Sequence, residues 1–535
     1  MARTSVGQLF ATFLVAALVL GWFWSGQSAP AQAVKEGKPA NQANVKLKQL
    51  YYGNDFCASA GCHDLKKEPP PNEAKVDKVS VVLSRRIEWH LWNESDKHKI
   101  ATKVLTEGRG KEIAGRLKIT ADIKEAPTNK EWRQCLSCHG VLINDAKYVD
   151  KDSFGPEERV ASGVSCVVCH GAYFDWVDKH RPVPLNPWPE LKREDKELQY
   201  GLRDLWDPQK RAELCCSCHV GDGDEKVVTH EMYAAGHPPL PGFEIITFSA
   251  AMPRHWETLA DKYQRLGGLK KYKDLYDKIY DFGEPHDVHQ IHLLLTSAIV
   301  AFRNSVGMIA VHADAGQKAG KGGAKAGDHS WPEFALYDCY ACHHDLKAKS
   351  WRQERGYAGA PGRPQMRSWP TVLLPLALPH GGPPDFTERM KGLEAAFSET
   401  PFGKPDKVQK EATALVEWSD RLLKELAKTR LKQNQSREWL AHLVHRPDKE
   451  LLDFDSARQL AWATKALLDE INLHPKAAEA PLVRLRNQLN LKLLEGPREI
   501  VPEYLPATLS KLADYDPVAF RNTMKELAAA IGKEK

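Results

Sequence analysis

The chain has 535 residues, 42% hydrophobic and 27% charged, which fits a globular chain of several domains and excludes a collagen, a disordered tail and a polytopic membrane protein. Eleven Cys are too few for a small disulfide scaffold, and 75 basic against 70 acidic residues, a net +5, give no nucleic-acid-binding signature. The 21 His, nearly two per Cys, are the unusual feature.

In chain order, Arg3, an apolar run from Leu9 to Trp24 and the small-residue stretch to Ala33 read as an export signal or a retained anchor (1–33). Residues 34–48 read as a polar tether. Cys57-Ala-Ser-Ala-Gly-Cys62-His63 opens the next region, followed by a helix expected from a Ser95 cap through His98 to Leu105. Cys135-Leu-Ser-Cys138-His139, Cys166-Val-Val-Cys169-His170 and Cys215-Cys-Ser-Cys218-His219 come next, with His180 after the third and His230 and His237 after the fourth. Helical patterning is expected over 257–282 and over 289–312, then a Gly/Ala/Lys loop over 313–328. Cys339-Tyr-Ala-Cys342-His343 closes the region 49–350. Residues 351–385, rich in Pro and Gly, read as an irregular linker. Residues 386–535 lack Cys, and helix-like spacing recurs over 405–431, 436–444, 456–472, 480–495 and 516–531. No segment after the N-terminus reads as long enough and apolar enough to span a bilayer.

Ten of the 11 Cys therefore fall in five clusters, each with His directly after its second Cys. Cys-x-x-Cys-His is the spacing of c-type haem attachment. Two thiols one short loop apart reach both vinyl groups of a porphyrin, and the adjacent imidazole becomes the proximal iron ligand. At this chain's Cys and His frequencies about 0.01 such matches arise by chance, and four are present. Zinc sites join two Cys pairs and do not ask for His after each. A disulfide across two residues is strained or redox-active. The first cluster, with four intervening residues, is a longer variant for which a disulfide or unligated pair stays open. Cys216 reads as a spare buried thiol.

Five covalently bound haem c groups need further axial ligands. There are seven Met including Met1, so mainly bis-His ligation is expected. The distal candidates are His98, His180, His230 and His237, then His255, His289, His292 and His344. His442, His445 and His474 read as ordinary surface residues.

Residues 50–245 resemble the cytochrome c-554-type multihaem cytochromes. The likeness rests on Trp92 and His98-Lys-Ile-Ala101, Gln134 before the second motif, Gly163-Val-Ser-Cys-Val-Val-Cys-His-Gly171 with His180 at the family's spacing, and a His pair after the fourth motif. It implies distal ligands at His98, His180 and one of His230 and His237, one five-coordinate haem in some members, and a role in electron transfer. The lengthened first motif, the fifth motif and the C-terminal region depart from it.

The expected architecture is mainly α with long irregular segments, a pentahaem cytochrome c domain followed by an α-helical domain. The expected function is electron transfer in the periplasm between redox partner proteins, without nucleic acid, and with the membrane involved only through the N-terminus. Nitrogen-compound chemistry at an open haem is the enzymatic alternative. An electron-transfer subunit of a larger respiratory complex is the structural one. Haem propionates would carry the basic composition toward neutral or acidic.

Overall fold

The computed structural model describes residues 47–58, 62–67, 84–125, 130–181, 187–223, 225–257, 261, 279, 288–320, 331–343, 362–491, 512 and 514–533. The signal or anchor, the 34–46 part of the tether and nearly all of the 257–282 stretch lie outside these residues. The fold is mainly α. Among the described residues, strand-like pairing is limited to isolated bridges at Gln49–Tyr173, Tyr51–Val149 and Tyr337–Met366.

The largest core forms around the His289–Gly320 helix. Ile291, Leu295, Ile299, Phe302 and Val306 on one face and Leu293, Val300 and Ala310 on others are all buried, so apolar residues surround it rather than line one stripe. The Glu470 carboxylate accepts from the backbone N–H groups of Gln290 and Ile291, both at 2.7 Å, and so caps its N-terminus. The helix lies along Pro405–Leu426, whose Val408, Ala412, Leu415, Trp418, Leu422 and Leu426 recur every three or four residues. Phe454–Glu470, capped by Asp453 through the Ser456 N–H at 2.9 Å, and Pro517–Gly532, capped by Asp516, complete this side.

Two expectations are corrected here. His289–Ala319 is long and apolar enough to span a bilayer, with mean hydropathy 1.6, but 83% of its most apolar stretch is buried inside the protein. The loop expected over 313–328 is helix in its first part, because the helix runs to Gly320. Ala313 is buried and a Cβ at Gly316 would meet Trp331 at 2.4 Å, so small residues there serve helix packing rather than looseness. Residues 321–330 lie outside the described set.

The core is shared across the expected 351–385 boundary. Trp369, Val372, Leu373, Leu374 and Leu376, on short 3-10 turns, are buried in it together with Ala212 and Cys216 of the Pro208–His219 helix. Arg303 ties these regions together, pairing with Glu213 at 2.9 Å and Asp420 at 3.2 Å. The N-terminal region holds much less. One cluster gathers Tyr51, Tyr52, Ile143, Phe154, Trp176 and Trp188, and a second only Ala114, Ile123, Trp132 and Leu136.

Candidate haem-binding site

Each Cys-x-x-Cys-His motif sits on a helix or its end. Cys135, Cys138 and His139 close Lys130–His139, Cys166–His170 is itself a short helix, and Cys215, Cys218 and His219 close Pro208–His219. On a helix, positions i, i+3 and i+4 share one face, so both thiols and the imidazole point the same way. Cys216 turns to the opposite face, fully buried with its sulfur 3.8 Å from Ser297 Oγ, as expected of a spare thiol. Cys339–Cys342 is a short helix with His343 at its C-cap. Cys57 lies on Asn54–Ala58, and residues 59–61 of the lengthened motif are outside the described set.

All 11 Cys are free thiols, and among the described residues no three His, Cys, Asp or Glu side chains converge as a metal-binding cluster. Four pairs of imidazoles face each other instead. His63 and His180 are 6.2 Å apart between ring centres, His98 and His219 6.2 Å, His139 and His237 6.3 Å, and His230 and His343 6.3 Å. A metal–nitrogen bond of about 2 Å on each side, plus about 1 Å from ring nitrogen to ring centre, requires about 6 Å. Each pair joins one motif His to one His outside the motifs, and the four distal candidates placed first by the sequence all lie in these pairs.

The pairing crosses the chain. The first motif takes its opposite His from beyond the third, the second and fifth take theirs from beyond the fourth, and the fourth takes His98 from before the second. The resemblance implied one ligand from the 230/237 pair; in the structure both rings face a motif His. His230 starts the His230–Ala235 helix, capped by Thr229, and His237 follows Gly236, which ends it at φ +112°.

Local structure directs which ring nitrogen is free. Nδ1 of His63 is 2.9 Å from Glu88, that of His98 3.0 Å from Asp96, and that of His139 3.0 Å from the Ala101 carbonyl. His180 Nδ1 lies 2.8 Å from the Val177 carbonyl and His237 Nδ1 2.7 Å from that of Pro238. With Nδ1 donating, Nε2 keeps its lone pair for a metal. The expected Ser95 cap is corrected: Ser95 ends Glu88–Ser95, and Asp96 caps the following turn because its carboxylate takes the His98 N–H at 2.9 Å. Gly163 seats this segment, since a Cβ there would fall 2.2 Å from the His98 carbonyl.

Burial lowers the pKa of His139, His180 and His237, and pushes His170 and His219 down to about 3. Those imidazoles are neutral, as ligands must be. Burial alone would also lower His63 and His98, but their carboxylate partners outweigh it and both stand above the ordinary value.

His170 belongs to none of the four ring pairs. Its carbonyl accepts from Arg203 N–H at 3.0 Å, and the Arg203 guanidinium donates to Val168 and Cys169 carbonyls at 2.6 and 2.8 Å. His255 acts on it electrostatically, and the His255 ring stands edge-on to Trp256 at 5.1 Å. Of the other candidates, His292 Nε2 lies 3.1 Å from the Leu426 carbonyl, His289 is exposed, and His344 is outside the described residues. His445 is on the surface beside Asp448 at 3.0 Å.

Sequence reasoning did not single out Glu88 and Asp96. An acidic residue two positions before a candidate ligand, and one at a helix start, were the available signals.

Residues 86–171 match the family model described as cytochrome c554 and c-prime. That span contains Glu88, Asp96, His98 and the second and third motifs, and it supports a cytochrome c-554-like c-type cytochrome with covalently bound haem and a part in electron transfer. Neither the curated proteins nor the solved structures gave a match to the chain.

Proposed function

We propose that the chain is a five-haem c-type cytochrome, exported to the periplasm, that carries electrons between redox partner proteins. The observation that carries this reading is the four facing imidazole pairs, each with one member from a Cys-x-x-Cys-His motif. The haems would be held through Cys57/Cys62, Cys135/Cys138, Cys166/Cys169, Cys215/Cys218 and Cys339/Cys342. Their proximal ligands would be His63, His139, His170, His219 and His343, with His180, His237, His98 and His230 opposite the first, second, fourth and fifth. Bound haem supplies a one-electron iron couple whose potential follows its axial ligands, burial and nearby charge.

Contacts among the chain's own residues support an order for the five attachment points. The Cys57 and Cys166 thiols interact, as do those of Cys138 and Cys218. The six-residue His230–Ala235 helix and its flank carry ligands for both the fifth and second motifs. Cys169 and Cys215 interact electrostatically. These contacts favour an order 5–2–4–3–1. Cys339, Cys342 and His343 at the fifth motif are exposed, which favours it as the end reached by a partner.

Reductive titration of the purified holoprotein tests the reading. Several separate haem steps are expected; a single step, or no haem absorbance, contradicts it. One observation favours a second activity. His170 has no facing imidazole among the described residues, so its haem would be open to a small nitrogen compound. One high-spin component that shifts on adding nitric oxide would support this, and a fully low-spin spectrum would remove it.

A further inference from the structure

We propose that Glu88 and Asp96 are positioning residues that lower the reduction potentials of the haems at the first and fourth motifs, leaving the haem at the second motif easier to reduce. The inference rests on the bis-His reading above. Both carboxylates belong to one short segment: Glu88 opens the Glu88–Ser95 helix, and Asp96 follows its last residue.

Glu88 Oε2 lies 2.9 Å from His63 Nδ1, while its other oxygen accepts from Ser84 Oγ at 3.0 Å and Arg85 N–H at 2.7 Å. The helix start thus aims Glu88 at the ligand. The Asp96 side chain is 2% exposed, and one of its oxygens takes both the His98 N–H at 2.9 Å and His98 Nδ1 at 3.0 Å. At the second motif, both ligands face neutral acceptors, the Ala101 carbonyl at 3.0 Å and the Pro238 carbonyl at 2.7 Å.

A carboxylate accepting from Nδ1–H draws the proton toward itself and makes Nε2 more electron-rich. A more basic axial ligand favours the ferric state and lowers the potential. A carbonyl does the same more weakly, since it bears no full charge. Burial of Asp96 strengthens the effect, because water does not compete for the bond.

Glu88→Gln and Asp96→Asn keep the shapes and remove the charges. In spectroelectrochemical titration of each holoprotein variant, one haem step should move to higher potential, a different step in each variant, with the rest unmoved and the oxidised haems still low-spin. Unmoved steps with low-spin ligation intact would overturn the proposal, as would an equal shift of every step. Loss of all low-spin signal would instead count against the bis-His reading.

The unmutated holoprotein gives a second readout if a variant loses its ligand. The imidazole planes cross at 87° for His98/His219 and 81° for His139/His237, so both haems should give strongly anisotropic low-spin resonances. One of these should disappear at clearly higher potential than the other during reduction. Disappearance of both together would overturn the proposal.

Discussion

The motif-bearing region and the C-terminal helices achieve compactness by different means. Pro405–Leu426 and Phe454–Glu470 are long, amphipathic and sealed by Leu, Ala and Trp around the His289–Gly320 helix. The elements around the first three motifs are short, and their two hydrophobic clusters are small. Beside those clusters stand the half-buried thiols and imidazoles of the motifs. A region built this way is finished by its covalently attached porphyrins, whereas the C-terminal region is finished by its own side chains. The contrast locates the chemistry and also says where each half is vulnerable.

The largest effect should come from withholding haem. In chain made without haem attachment, amide exchange protection should be lost around the first three motifs while Pro405–Leu426 and Phe454–Glu470 stay protected. Equal loss in both regions would erase the contrast. Next, Trp418→Ala in the C-terminal core, where the ring is fully buried, should cost about 3–5 kcal/mol in denaturant unfolding. The native haem spectrum should not change; an altered spectrum would mean the two regions are not separately finished.

A more local effect is expected from His237→Ala. It should turn the second-motif haem alone from low-spin to high-spin, read by electron paramagnetic resonance, and an unchanged low-spin count would refute the His139/His237 pairing. The smallest effect concerns the junction. Burial raises Glu470 from 4.5 to about 7 despite its helix-capping bonds. The folded state therefore holds this proton more tightly than the unfolded chain does. The resulting stabilisation is full below about pH 4.5 and is lost as pH rises through about 7. Against Glu470→Gln, the unaltered protein should lose relative stability over that window, and parallel stability curves would contradict the assignment.

The Cys-x-x-Cys-His motifs were legible because their spacing is local in sequence. The four His that face motif imidazoles were legible as candidates, since His98, His180, His230 and His237 stood near motifs. Their pairing was not, because each partner comes from a distant segment and only the tertiary fold brings His98 to His219 or His230 to His343. Glu88 and Asp96 were hidden for a similar reason: one reads as an ordinary first-turn acid and the other as a cap. The mainly α character and the C-terminal helices followed from periodicity. The helix extension through Ala313 did not, since Gly and Ala signal a loop unless a neighbour such as Trp331 requires their small size. The shared core at Trp369–Leu376 escaped a reading that took Pro-rich sequence for a connector.

The central claim is the number of haems the chain holds. Intact mass measurement of the purified holoprotein decides it most directly. Five haem c additions per chain are predicted, and four or fewer would contradict the account.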